Sequence, residues 1–123
     1  MKIIIFLAVS FGVVFADDIV YHITANDDFD MKALVKDEAK LKALTQCYLD
    51  EGPCTEVAQS YKVLLQDVFN ESCRRCNPKQ KYLVNTYLKG LQKSNPEYYD
   101  KFVQKYDPSG QLLGKLLEAV KDY

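Results

Sequence analysis

From about position 31 onward, apolar residues recur in steps of three and four, the spacing of one face of an α-helix. The clearest run lies between positions 55 and 72. There Val57, Ala58, Tyr61, Leu64, Leu65, Val68 and Phe69 share a face, which predicts one helix across the stretch. Leu41, Leu44 and Tyr48 predict a helix running into Cys47, and Met31, Leu34 and Val35 a short one before it. Asn77-Pro78 reads as a helix start: Asn caps, Pro suits the first turn, and Gln80 can complete a capping box. Val84, Tyr87, Leu88 and Leu91 form the face that follows, with Gly90 a blemish costing about 1 kcal/mol relative to Ala. Asn95-Pro96 repeats the start signal before Tyr98, Tyr99, Phe102, Val103 and Tyr106. Asp107-Pro108-Ser109-Gly110 is a turn by composition, and Leu112, Leu113, Leu116, Leu117 and Val120 line a last helix. No strand alternation is sustained anywhere. The expected architecture is all-α, a compact bundle of about six helices with short connections and no internal repeat.

The first sixteen residues, MKIIIFLAVSFGVVFA, depart from this pattern. One Lys precedes an apolar run, and Val14 and Ala16 stand at the small-residue positions of a cleavage site before Asp17. The run falls short of the ~20 residues of a spanning helix. Residues 1–16 are therefore expected to be a secretory signal peptide, and residues 17–123 one domain of the secreted, extracellular protein. The charge is close to balanced, −1 for the whole chain, with lysines spread rather than clustered. Nothing in that distribution draws the chain to nucleic acid or to an anionic membrane surface.

Secretion changes the reading of the four cysteines, Cys47, Cys54, Cys73 and Cys76, because an oxidising compartment pairs them. Eighteen residues of helix between Cys54 and Cys73 span roughly 27 Å. A disulfide needs Cα atoms within about 7 Å. Only Cys47–Cys54 and Cys73–Cys76 fit, two local clips. The same length separates the sulfurs too widely for a tetrahedral zinc site, whose ligands all lie about 2.3 Å from the ion. Cys73-Arg74-Arg75-Cys76 is formally a redox CxxC, and its arginines would favour a thiolate. It lacks the βαβ context of a thioredoxin-like enzyme, so a structural clip is the preferred reading.

Catalysis finds little footing. His22 is the single histidine and sits near the mature N-terminus, where order is not expected. No nucleophile elbow or phosphate-binding glycine loop is present. Asp27, Asp28 and Asp30 lack the spacing of a calcium loop and read as a solvated helix start. Asn70-Glu71-Ser72 is a formal glycosylation acceptor. The chain is thus expected to be no enzyme, with no cofactor and no metal. The aromatic composition is unusual, with nine Tyr, six Phe and no Trp. Tyr48, Tyr61, Tyr87 and Tyr99 lie on predicted inner faces. That pattern fits either a packed core with satisfied hydroxyls or an apolar cavity with polar handles.

The cysteine spacing, Cys-x₆-Cys-x₁₈-Cys-x₂-Cys, resembles that of the insect chemosensory proteins. Gly52-Pro53-Cys54-Thr55, Gln80-Lys81 and Lys105-Tyr106-Asp107-Pro108 with Gly110 are similar to further segments of that family. Leu44 stands where the family has a Tyr, and Gln66 where it has a Pro, so the chain resembles a divergent member. The resemblance implies six helices around a central hydrophobic channel and non-covalent binding of long-chain lipids and semiochemicals. It places Leu44, Tyr61, Leu64, Val84 and Tyr99 on the channel, with Gln80 as a polar contact. The expected function is a secreted, monomeric carrier of hydrophobic small molecules such as fatty acids, long-chain alcohols and esters. The alternative is a secreted protein acting through a protein partner in development, host interaction or defence. Arg74 and Arg75 would then be the first surface to test.

Overall fold

The computed structural model describes residues 19–123, and all of the regular structure among them is helical. The expected signal peptide and the domain boundary at Asp17 lie outside the described residues. Seven helical segments follow in order: α1 (Met31–Leu34), α2 (Glu38–Tyr48), α3 (Glu56–Lys62), α4 (Leu65–Asn70), α5 (Pro78–Ser94), α6 (Pro96–Tyr106) and α7 (Leu113–Val120). Side chains cap most of their starts. Asp30, Asp37, Thr55 and Asn95 accept from backbone N–H groups one turn on, at 3.0–3.1 Å. Asn77 and Gln80 form the expected reciprocal capping box at α5. Asp107 Oδ2 accepts from Leu112 and Leu113 N–H at 3.0 and 2.9 Å and starts α7.

The single helix expected over 55–72 is two. It breaks at Val63–Leu64, where Leu64 N–H turns back to the Tyr61 carbonyl at 3.0 Å instead of continuing the four-residue ladder. The apolar period runs through the break, so the pattern does not reveal it. The cause is tertiary: α3 packs on α2, while α4 packs on α6 and α7. A straight helix could not serve both neighbours. Counted as one broken helix, α3 and α4 restore the expected six.

Both disulfides join the partners that chain length required, Cys47–Cys54 and Cys73–Cys76. The first closes the α2–α3 turn, in which Asp50 takes a left-handed φ of 64°, a conformation Asp tolerates better than most residues. The second closes the corner between α4 and α5.

The core is aromatic. Tyr48, Phe69, Tyr87, Phe102 and Tyr106 interlock, with centroids 5.1–6.0 Å apart across six ring pairs. Two buried hydrogen bonds satisfy two of the hydroxyls. Tyr106 donates to the Tyr48 carbonyl at 2.6 Å. Thr45 donates to the Leu41 carbonyl at 3.0 Å, which leaves its oxygen to accept from Tyr87 at 2.7 Å. Burial pushes the Tyr106 phenol up to about 12 and the Tyr87 phenol well above its ordinary value, so both remain protonated donors.

Gly90 is more than a blemish. A Cβ there would lie 2.5 Å from Val35 Cβ and 2.6 Å from Val35 Cγ1. The missing side chain is what lets the turn after α1 approach α5. Gly90→Ala gains about 1 kcal/mol of helix propensity, but the collision costs about 1–3 kcal/mol. Urea unfolding of Gly90→Ala is therefore expected to show a net loss of stability. In a Val35→Gly background, where the Cβ it meets is also gone, Ala at position 90 should instead be stabilising.

Candidate functional site

The free volume of interest lies beside the aromatic core rather than within it. A cavity of about 490 Å³, partly open to solvent, is bounded by α1, α2 and α3 and the turns between them. Its size falls within the ~300–1,000 Å³ of small-ligand sites. Met31, Cys47, Tyr48 and Ala58 are its buried residues, and Phe29, Leu34, Leu44, Val57 and Tyr61 are half-buried. Asp30, Asp37 and Lys40 are the charged residues of the lining, and all three are exposed. Two of them are occupied locally, Asp30 and Asp37 as the caps of α1 and α2. Tyr48 belongs both to this wall and to the aromatic cluster.

The first wall is held in place by the extended segment before α1. His22 N–H donates to the Arg75 carbonyl at 2.9 Å, and Arg75 Nε reaches the Val20 carbonyl at 3.2 Å. Gln80 Nε2 donates to the His22 carbonyl at 3.0 Å and to Thr24 Oγ1 at 2.9 Å. Asn77 Nδ2 donates to Asp27 Oδ2 at 3.0 Å, and Thr24 and Tyr61 hydroxyls also donate to Asp27. The single Tyr61 proton is shared between Asp27 and the Asn26 carbonyl, and Ala25 N–H donates to Ser60 at 3.0 Å. The cap of α5 thus grips the segment that delivers Phe29 and α1 to the cavity.

Three sequence expectations change here. His22 is ordered, not loose, with its side chain only 6% exposed and Nε2 3.0 Å from Asp67 Oδ2. That contact lacks the alignment of a hydrogen bond, so proximity and backbone clamping hold the residue. Asp27 is a structural hub rather than a solvated charge, whereas Asp28 makes an exposed pair with Lys79. Arg75 clamps the N-terminal segment, and Arg74 makes an exposed pair with Glu71 at 3.0 Å.

Of the six residues expected on a channel, Leu44 and Tyr61 line the cavity. Leu64 sits at the α3–α4 break. Val84 packs against the core from α5, and Tyr99 is buried on α6. Gln80 is committed to the capping box and the N-terminal segment. Among the cavity's apolar residues outside those six, Met31, Leu34, Tyr48, Val57 and Ala58 lie on helix faces that the apolar period marks, whereas Phe29 lies in a stretch with no periodicity to flag it.

Residues 22–113 match the model of the insect pheromone-binding family A10/OS-D, so the chain belongs to that family, one of binding proteins rather than enzymes. Allergen Tha p 1 of Thaumetopoea pityocampa is 31% identical over 100 residues, which cover 79% of each chain. A solved chemosensory protein in complex with bromo-dodecanol shares the fold, at a TM-score of 0.68 and 24% identity over 75% of this chain and 92% of its own. The all-helical bundle with two local disulfides that the cysteine spacing implied is that fold.

Burial raises the Asp27 pKa, but hydrogen bonds from Thr24, Asn77, Gln80 and Tyr61 outweigh it and hold the carboxyl below its usual range. A depressed carboxylate stabilises the fold above the unfolded value of about 3.9 and loses that contribution as pH falls through the folded value. Asp27→Asn should therefore be less stable than wild type in urea at pH 7. The gap should close as the pH is lowered toward 2.

Proposed function

We propose that this chain is a secreted, non-enzymatic carrier that takes one hydrophobic small molecule into the cavity between α1, α2 and α3. The observation that carries the reading is the composition of that cavity. Its buried and half-buried residues are apolar or aromatic throughout, with charge confined to exposed positions. Leu44 and Tyr61 are its contacts among the residues the family resemblance singled out. Family membership and the bromo-dodecanol bound by the structural neighbour support the reading. Secretion is supported by the form of residues 1–16. Among the described residues, no helix is long and apolar enough to cross a membrane.

Burial of the alkyl chain is the main source of binding free energy, and longer chains supply more of it. Each buried CH₂ contributes about 0.8 kcal/mol, so a twelve-carbon chain offers roughly 9–10 kcal/mol before ordering costs. Micromolar binding needs about 8 kcal/mol. The other reading, action through a protein partner, rests on Val20, Tyr21 and Ile23, which the N-terminal segment leaves exposed.

Calorimetry on the chain from Asp17 should show one-to-one binding of C12–C18 amphiphiles at micromolar Kd, with negative heat-capacity change. Ala58 lines the cavity and is 6% exposed. Ala58→Phe, which fills the space, should weaken binding at least tenfold while the protein stays folded. Unchanged affinity in a folded Ala58→Phe would place the ligand elsewhere.

A further inference from the structure

Tyr48 and Tyr99 are the buried phenols without a hydrogen-bond partner among the described residues, and Tyr48 is the one on the cavity. Tyr48 is 3% exposed. Tyr87 and Tyr106 hydroxyls each have a partner, and so has that of Tyr61. The Tyr48 hydroxyl has none among the described residues, although its own backbone carbonyl is taken by Tyr106. The free volume that Tyr48 borders is the cavity. The Tyr48 ring cannot easily turn away. Tyr87 packs against it edge-on at 5.5 Å and Phe102 at 6.0 Å.

A buried hydroxyl without a partner costs free energy that a suitable ligand group removes. We propose that Tyr48 anchors the head group of the carried molecule, and that the preferred ligand is a long-chain alcohol. This rests on the carrier reading and adds orientation and head-group selectivity to it. A neutral phenol both donates and accepts. So does an alcohol, which can take the Tyr48 proton and offer its own to a phenol oxygen. Tyr61 stands on the same cavity, its proton committed to the 26–27 segment and its oxygen still able to accept. A carboxylate fits less well. Lys40 is the lone cation of the lining and it is exposed, while Asp30 and Asp37 are also there. A carboxylate brought to Tyr48 would be a buried charge without a counter-ion.

The test is competitive displacement of an apolar fluorescent dye by dodecan-1-ol, dodecane and dodecanoate at pH 7, on wild type and Tyr48→Phe. One neutral hydrogen bond corresponds to a roughly three- to tenfold change in affinity. Tyr48→Phe should weaken dodecan-1-ol by that factor and leave dodecane within twofold. Wild type should prefer dodecan-1-ol to dodecanoate by at least tenfold. Equal losses for alcohol and alkane, or no loss for either, would overturn the anchor while leaving the carrier reading standing. Equal wild-type affinity for alcohol and carboxylate would overturn the head-group assignment. If wild type binds none of the three, the carrier reading fails as well. Should Tyr48→Phe not fold, tyrosine Cζ-labelled wild type decides by NMR. The Tyr48 signal should move with dodecan-1-ol and not with dodecane, and identical responses would overturn the proposal.

Discussion

Five interlocked rings fill the volume where α2, α4, α5 and α6 meet, and the rest of the molecule is arranged around them. Phe69 and Phe102 are each 1% exposed. A core packed this tightly has no room for a ligand without rearrangement. The free volume is displaced to one side, under α1 and between α2 and α3. Tyr48 stands at the boundary, its ring in the cluster and its edge on the cavity. Packing that makes the fold rigid therefore also fixes one wall of the site.

The opposite wall is held by polar chemistry. α1 is a single turn of four residues, too short to persist alone. It persists because Asp27, Thr24 and the His22 carbonyl are tied to Asn77 and Gln80, at the start of the longest helix. The Gly90–Val35 approach seats the end of α1 on the middle of that same helix. Corner disulfides complete the arrangement by closing the α2–α3 and α4–α5 turns. Neither spans the cavity, so α3 faces α1 without a covalent tie.

Much of this was legible in the residues. Period and cap signals located the helices. Helix length alone decided the disulfide pairing, although the helix it assumed is bent at Val63–Leu64. The pairing survives because each clip closes a turn within a few residues. The break was not legible, since Val63 and Leu64 keep the helical period and the competing neighbours lie far along the chain. The cavity was half legible. Leu44 and Tyr61 follow from the resemblance, but Phe29 is brought in by a segment whose docking depends on Gln80, fifty residues away. Gln80 reads in the sequence both as a helix cap and, through the resemblance, as a polar contact; in the structure its side chain bonds Asn77 N–H, the His22 carbonyl and Thr24.

The free volume beside the aromatic core, not a path through it, is where a carried molecule is expected. The most direct measurement is a crystal structure of the mature chain with dodecan-1-ol. The account predicts an alkyl chain among Met31, Leu34, Leu44, Ala58 and Tyr61, with its oxygen at the Tyr48 hydroxyl and the five rings in place. A ligand running past Leu64, Val84 and Tyr99 through displaced rings would contradict it.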